Sequence, residues 1–165
     1  MHDFRYVSKE AAPIKEILLE IIHSTQNLVR DEFTFQYEVV GSASRNMITC
    51  DTKSNIGFDF DVNIYVNDDE ENYTAKQIRQ IIKQALDKVA RHYGYDYCED
   101  STRVLTIKVK DRGKSRIVHS CDFAIMNDCE DGRQQYIRYN KVQNNYTWEY
   151  QGEGFDGLPD KIEWL

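Results

Sequence analysis

One stretch constrains this chain more than any other: Phe58-Asp59-Phe60-Asp61-Val62-Asn63-Ile64-Tyr65-Val66. Large apolar residues alternate with polar ones throughout it. Successive side chains on a strand point to opposite faces, so the pattern makes a β-strand with one face in a core and the other among polar surroundings. Phe58, Phe60, Val62, Ile64 and Val66 then point one way, and Asp59, Asp61, Asn63 and Tyr65 the other. The two aspartates share the polar face, about 6.6 Å apart along the strand. Taken alone, the pair is best explained as a solvated face, because alternating polar residues are routine on half-buried strands.

The surrounding sequence supplies the rest of a domain. Ile14, Ile17, Leu18, Ile21, Ile22, Leu28 and Val29 recur at helical spacing and predict a helix over about 13–30, with Pro13 suited to its first turn. The period then changes to two in a predicted strand over 33–40, which ends at Gly41-Ser42. Residues 43–55 are polar and irregular, with room for one short helical turn, and an acidic loop follows the strand at Asn67–Asn72. Thr74 and Gln77 are spaced as a capping box for a second helix whose buried face is Ile78, Ile81, Ile82, Ala85, Leu86, Val89 and Ala90, with Gly94 at its end. Strands are expected over about 103–109, 116–126, 134–140 and 146–151, the first two joined through Asp111-Arg112-Gly113-Lys114 as a hairpin. This order predicts an α+β domain: a mixed, mostly antiparallel sheet flanked by helices. Residues 1–157 make the domain. Residues 158–165 read as the opening of a helix, so the chain is expected to be a fragment with a helical region to follow.

Composition narrows what such a domain can bind. A chain of 165 residues that is 41% hydrophobic can bury one core. A net charge of −7 makes it a poor passive binder of duplex nucleic acid, where phosphate neutralisation dominates affinity. It can still handle nucleotides if metal ions supply the positive charge. No apolar run reaches the length of a membrane span, and no apolar signal core follows the N-terminus. Cys50, Cys98, Cys121 and Cys129 are far apart with no CxxC pair, the pattern of a cytoplasmic chain with free thiols.

Two further pieces give the aspartate pair a chemical reading. Gly41-Ser42 ends a strand, where exposed backbone N–H groups and a hydroxyl can hold phosphate oxygens; Ser42 could equally cap a turn. Ser44 and Arg45 divide evenly between phosphate contact and loop surface. Asp122 lies inside the apolar strand Ile117-Val118-His119-Ser120-Cys121-Asp122-Phe123-Ala124-Ile125-Met126, where a lone carboxylate is costly unless ion-paired or coordinated. Nucleotidyl transfer needs carboxylates on neighbouring strands, because they are the hard oxygen ligands that magnesium prefers.

A strand running into Gly-Ser, a hydrophobic-Asp-hydrophobic-Asp strand and a later Asp on another strand together resemble the nucleotidyltransferase superfamily related to DNA polymerase beta, over about residues 33–126. The resemblance implies a metal-dependent transfer of NMP from an NTP to a hydroxyl, with release of pyrophosphate, by the domain at 1–157. It implies Asp59 and Asp61 as ligands of two Mg2+ (or Mn2+) ions, and Asp122 as a third ligand near the base that deprotonates the acceptor. It implies Gly41 and Ser42 on the triphosphate, and Ser44 and Arg45 stay beside them as candidate nucleotide contacts. The 18 residues from Gly41 to Asp59, with a long helix before the first strand, are more similar to the branch that makes oligoadenylates and cyclic nucleotides. Arg45-Asn46 stands where relatives with small acceptors often show Arg-Gly. The acceptor stays open among a second nucleotide, an RNA end, a protein hydroxyl and a small molecule. The rival readings are a nucleotide-binding or protein-interaction module without turnover, and a structural domain with a solvated acidic face.

Other motifs carry less. Gly152-Glu153-Gly154-Phe155-Asp156-Gly157 matches GxGxxG but has no βαβ unit after it. Arg112-Gly113-Lys114-Ser115 lacks the first glycine of a P-loop, whose place is taken by Lys108. Lys108, Lys110, Arg112, Lys114 and Arg116 form a basic cluster that reads first as a solvated hairpin and second as a triphosphate contact. His2, His23, His92 and His119 have no metal-ligand spacing, and His92 suits the last turn of its helix.

Overall fold

The computed structural model describes residues 4–6, 8–40, 49–51, 56–68, 70–111 and 116–152. The elements run β1 (Phe4–Tyr6), α1 (Ser8–Val29), β2 (Thr34–Val40), β3 (Thr49–Asp51), β4 (Ile56–Asn67), α2 (Ala75–His92), β5 (Glu99–Asp100), β6 (Leu105–Asp111), β7 (Arg116–Asp128), β8 (Gln134–Asn140) and β9 (Asn145–Tyr150). Seven of the strands form one sheet in the order β2-β4-β7-β6-β5, with β8 added to β7 and β9 to β8. Only β4 and β7 are parallel; every other neighbouring pair in this sheet is antiparallel. The fold is therefore the expected α+β class with a mixed, mostly antiparallel sheet. A parallel pair needs a crossover, and α2, β5 and β6 supply it.

Two expectations need correcting. Helix α1 begins at Ser8, so Pro13 lies inside the helix and not in its first turn. Residues 49–51, expected to be irregular, form β3, which pairs with β1 in a separate two-stranded ribbon. Strands of three residues leave no alternation to read. The suggested helix opening at 158–165 and the hairpin tip at 112–115 lie outside the described residues.

Helix α2 forms where its signals stand. Thr74 accepts from the Gln77 amide at 3.1 Å, and Gln77 Oε1 accepts from the Thr74 amide at 2.8 Å, so both halves of the capping box are made. After the helix the chain passes through Gly94 at φ +83°, a left-handed conformation that glycine adopts without steric cost. Its buried face includes Ala75, Ile78, Ile82, Ala85, Leu86, Val89 and Ala90, while Ile81 is only half-buried. On α1, Leu18, Ile21, Ile22 and Val29 are buried, but Ile17 and Leu28 from the predicted stripe are exposed. These helical faces share one core with Phe60, Val62 and Ile64 of β4, Leu105 and Ile107 of β6, and Cys121, Phe123 and Ile125 of β7. Both described helices thus cover the same face of the sheet. The alternation in β4 and β7 turns their acidic residues to the other face.

Candidate active site

The site is built by strand register. In β4, Phe60 and Val62 are 3% and 1% exposed, whereas Asp59 and Asp61 between and beside them are exposed. Pairing with β7 places Asp61 opposite Asp122 and Asp59 opposite Ser120. Register partners on adjacent strands share a face. Three carboxylates from two strands therefore lie on one face, as the sequence pattern predicted for Asp59 and Asp61 alone. Pairing with β2 sets Val40 opposite Asp61, so β2 ends level with the acidic pair. Gly41, Ser42, Ser44 and Arg45 follow Val40 in sequence and lie outside the described residues.

Hydroxyls hold two of the acids. The Ser120 Oγ donates to Asp59 Oδ1 at 2.6 Å. The Thr106 Oγ1 donates to Asp122 Oδ1 at 2.7 Å, across the β6–β7 register pair. The half-buried Asp122 is thus met by a hydroxyl, and no described Lys or Arg forms an ion pair with it. Asp61 receives no hydrogen bond from a described residue. Partial desolvation against the sheet, then the charges of Asp122 and Asp59, push its pKa above the ordinary carboxylate value.

Among the described residues, no His, Cys, Asp or Glu side chains are gathered into a ready-made metal cage. The donor set still suits magnesium. Magnesium is held by one or two carboxylates together with substrate phosphates, in preference to an all-protein cage. An open face carrying three carboxylates in electrostatic reach of one another could offer that half of a coordination shell. Asp59 and Asp122 each have one oxygen engaged by a hydroxyl, and no described residue hydrogen-bonds the second.

Ser120 and Thr106 are the members that sequence reasoning missed. Ser120 stands two residues before Asp122, so their common face was readable; the partnership with Asp59 depended on a register between strands far apart in sequence. Of the basic cluster, Lys108 is the register partner of Ser120 and pairs with Glu99 at 2.5 Å. His23 Nε2 lies 3.1 Å from the Tyr37 hydroxyl, and His92 occupies the last turn of α2. A cavity of about 280 Å³, lined in part by Val66, Tyr73, Ile78, Met126 and Trp148, lies toward the other end of β4 and β7 and touches none of the three aspartates. No helix among the described residues is long and apolar enough to cross a membrane.

No protein-family model matches the chain, and no curated protein does. Solved structures do. The chain is similar to GTP-bound DncV of Vibrio cholerae, with 15% identity, a TM-score of 0.55 and coverage of 82% of this chain and 36% of that one. It is similar to the CD-NTase CdnG of Bradyrhizobium diazoefficiens in complex with GTP, with 11% identity, a TM-score of 0.57 and coverage of 90% and 40%. A further structure of Vibrio cholerae DncV, described as a cyclic AMP-GMP synthase and a prokaryotic cGAS homolog, is 12% identical with a TM-score of 0.51 over 81% of this chain and 43% of that one. The chain spans less than half the length of each. The likeness is one of fold: the chain shares the fold of these DncV and CdnG structures.

Proposed function

We propose that this chain carries the catalytic face of a nucleotidyltransferase, moving an NMP from an NTP to a hydroxyl acceptor with release of pyrophosphate. The observation that carries the reading is the register of Asp61 with Asp122, which sets a third carboxylate beside the Asp59–Asp61 pair on one open face. Asp59, Asp61 and Asp122 would hold magnesium or manganese. When bound, the metal supplies positive charge to the attacking and leaving oxygens.

The chain's own part is binding and orientation. Gly41 and Ser42, which follow Val40 in sequence, would offer backbone N–H groups and a hydroxyl to the triphosphate, with Ser44 and Arg45 close behind in sequence. A bond forms between the acceptor oxygen and the α-phosphorus as the bridge to the β-phosphate breaks. Pyrophosphate leaves with the electron pair. The acceptor proton passes to a base on the Asp122 side. No covalent enzyme intermediate is needed, so the rate comes from positioning and charge stabilisation. A second nucleotide is the first acceptor to try, and GTP and ATP the first donors, because the fold neighbours include GTP-bound and 3'-deoxy ATP-bound structures.

The test is thermal unfolding with ATP or GTP, with and without Mg2+, on the wild type and on Asp59→Asn/Asp61→Asn, followed by pyrophosphate release. Nucleotide at about a hundred times its dissociation constant stabilises the fold by roughly 2.7 kcal/mol. A magnesium-dependent shift lost in the variant, with pyrophosphate released by the wild type alone, is the expected result. A shift without pyrophosphate would identify a binding module. No shift in either folded protein would sink the assignment.

A further inference from the structure

We propose that Ser120 and Thr106 are positioning residues that orient Asp59 and Asp122 toward metal, an inference that rests on the reading of this face as a nucleotidyltransferase site. Each hydroxyl sits on the strand next to its acid, at the register position directly opposite: Ser120 with Asp59 across β7 and β4, Thr106 with Asp122 across β6 and β7. The contacts are short, 2.6 and 2.7 Å, as charge-assisted O–H···O bonds are. A hydroxyl has one proton to give. Here each gives it to a carboxylate Oδ1, so each carboxylate has one oxygen tied to the sheet and a second that no described residue hydrogen-bonds.

The arrangement answers a physical difficulty. Carboxylates crowded on one face repel, and free side chains would turn apart at little cost. Rotation of Asp59 or Asp122 away from the site breaks a charge-assisted bond, so the hydroxyls hold both acids in place against that repulsion. Outer partners that fix a ligand's orientation are worth about 10- to 100-fold in metal affinity. Asp61, flanked by both neighbours, has no such bond from a described residue.

The experiment is Mn2+ binding followed by electron paramagnetic resonance, with GTP or ATP present, on the wild type, Ser120→Ala, Thr106→Val, Ser120→Thr and Thr106→Ser. Thermal unfolding in EDTA controls for folding. The alanine and valine variants are expected to bind Mn2+ about tenfold more weakly, with melting temperatures near the wild type in EDTA. The hydroxyl-preserving variants are expected to recover most of the affinity. In turnover, the loss in Ser120→Ala should show as a higher metal requirement, with KM for the NTP unchanged at saturating metal. Wild-type Mn2+ affinity in both hydroxyl-deleted variants would overturn the positioning role and leave the site reading standing. Absence of Mn2+ binding in the folded wild type would overturn both.

Discussion

Asp61 is the residue on which stability and the proposed function pull in opposite directions. Its pKa is raised in the fold, so the native state binds a proton at higher pH than the unfolded chain does. Stability therefore falls as pH rises from the ordinary value of 3.8 through the raised one, and the whole cost is present at neutral pH. In EDTA at pH 7, Asp61→Asn should melt above the wild type, and the gain should vanish below pH 3.8, where both states of the wild type are protonated. With Mg2+ and GTP the order should reverse. A variant no more stable than wild type in EDTA would mean that Asp61 is fully solvated. Arg79 presents the opposite case. It is 0% exposed, and its guanidinium donates to Asp100 Oδ1 at 3.1 Å, to the Ile137 carbonyl at 2.8 Å and to the Val104 carbonyl at 3.1 Å. Tyr146 donates to the other Asp100 oxygen at 2.7 Å. Burial lowers the Arg79 pKa and Asp100 opposes the shift, so the pair is needed chiefly because each partner would be stranded alone. Arg79→Met should cost about 3–5 kcal/mol, read as a lower urea midpoint at unchanged slope.

At the scale of elements, the Thr74–Gln77 capping box makes a separate prediction. Thr74→Ala leaves an amide at the start of α2 without its acceptor and should cost about 1 kcal/mol, measured by chemical denaturation; Thr74→Ser should cost little. This box, the buried stripe of α2 and the two faces of β4 were all legible in the sequence, because each is a local pattern with its own period. What was not legible has physical causes. β1, β3 and β5 are too short to show alternation. Arg79 sits at a helical spacing from Ala75 and Ile82 and so belonged to the stripe, but a charge is read as exposed unless its acceptors are known. Thr25 was passed over in α1 because a hydroxyl, too, is read as polar surface until its acceptor is known. It is buried, with its hydroxyl turned back on the Ile21 carbonyl at 2.8 Å. Ile17 and Leu28 failed in the other direction, since the apolar stripe of α1 is wider than the surface it packs on. Within the site, the three aspartates were legible as residue types on strands, whereas the Asp61–Asp122 and Asp59–Ser120 pairings are properties of register between distant strands.

Across the whole molecule, the same sheet carries a sealed core on one face and the acidic site on the other, and Cys121 joins them. It is buried on the helix-covered face, next in sequence to Asp122 on the site face. Burial, followed by the nearby charge of Asp122, pushes its thiol pKa up, and burial likewise pushes Cys98 up to about 12. A thiol reagent needs the thiolate and physical access, so neither cysteine should react until the core opens, while the half-buried Cys129 should react far sooner. Labelling of Cys121, resolved by mass spectrometry, then counts openings of the whole domain when closing outruns the reagent. A ligand that binds only the closed state at about a hundred times its dissociation constant should slow that labelling about 100-fold. Mg2+ with GTP or ATP should therefore protect Cys121 and Cys98 by the same factor in the wild type and leave Cys129 unchanged. In Asp59→Asn/Asp61→Asn the protection should disappear. Protection of Cys121 alone would mean that the β4–β7 region opens separately from the rest. Equal labelling rates with and without nucleotide in the wild type would show that the acidic face does not couple to the core behind it.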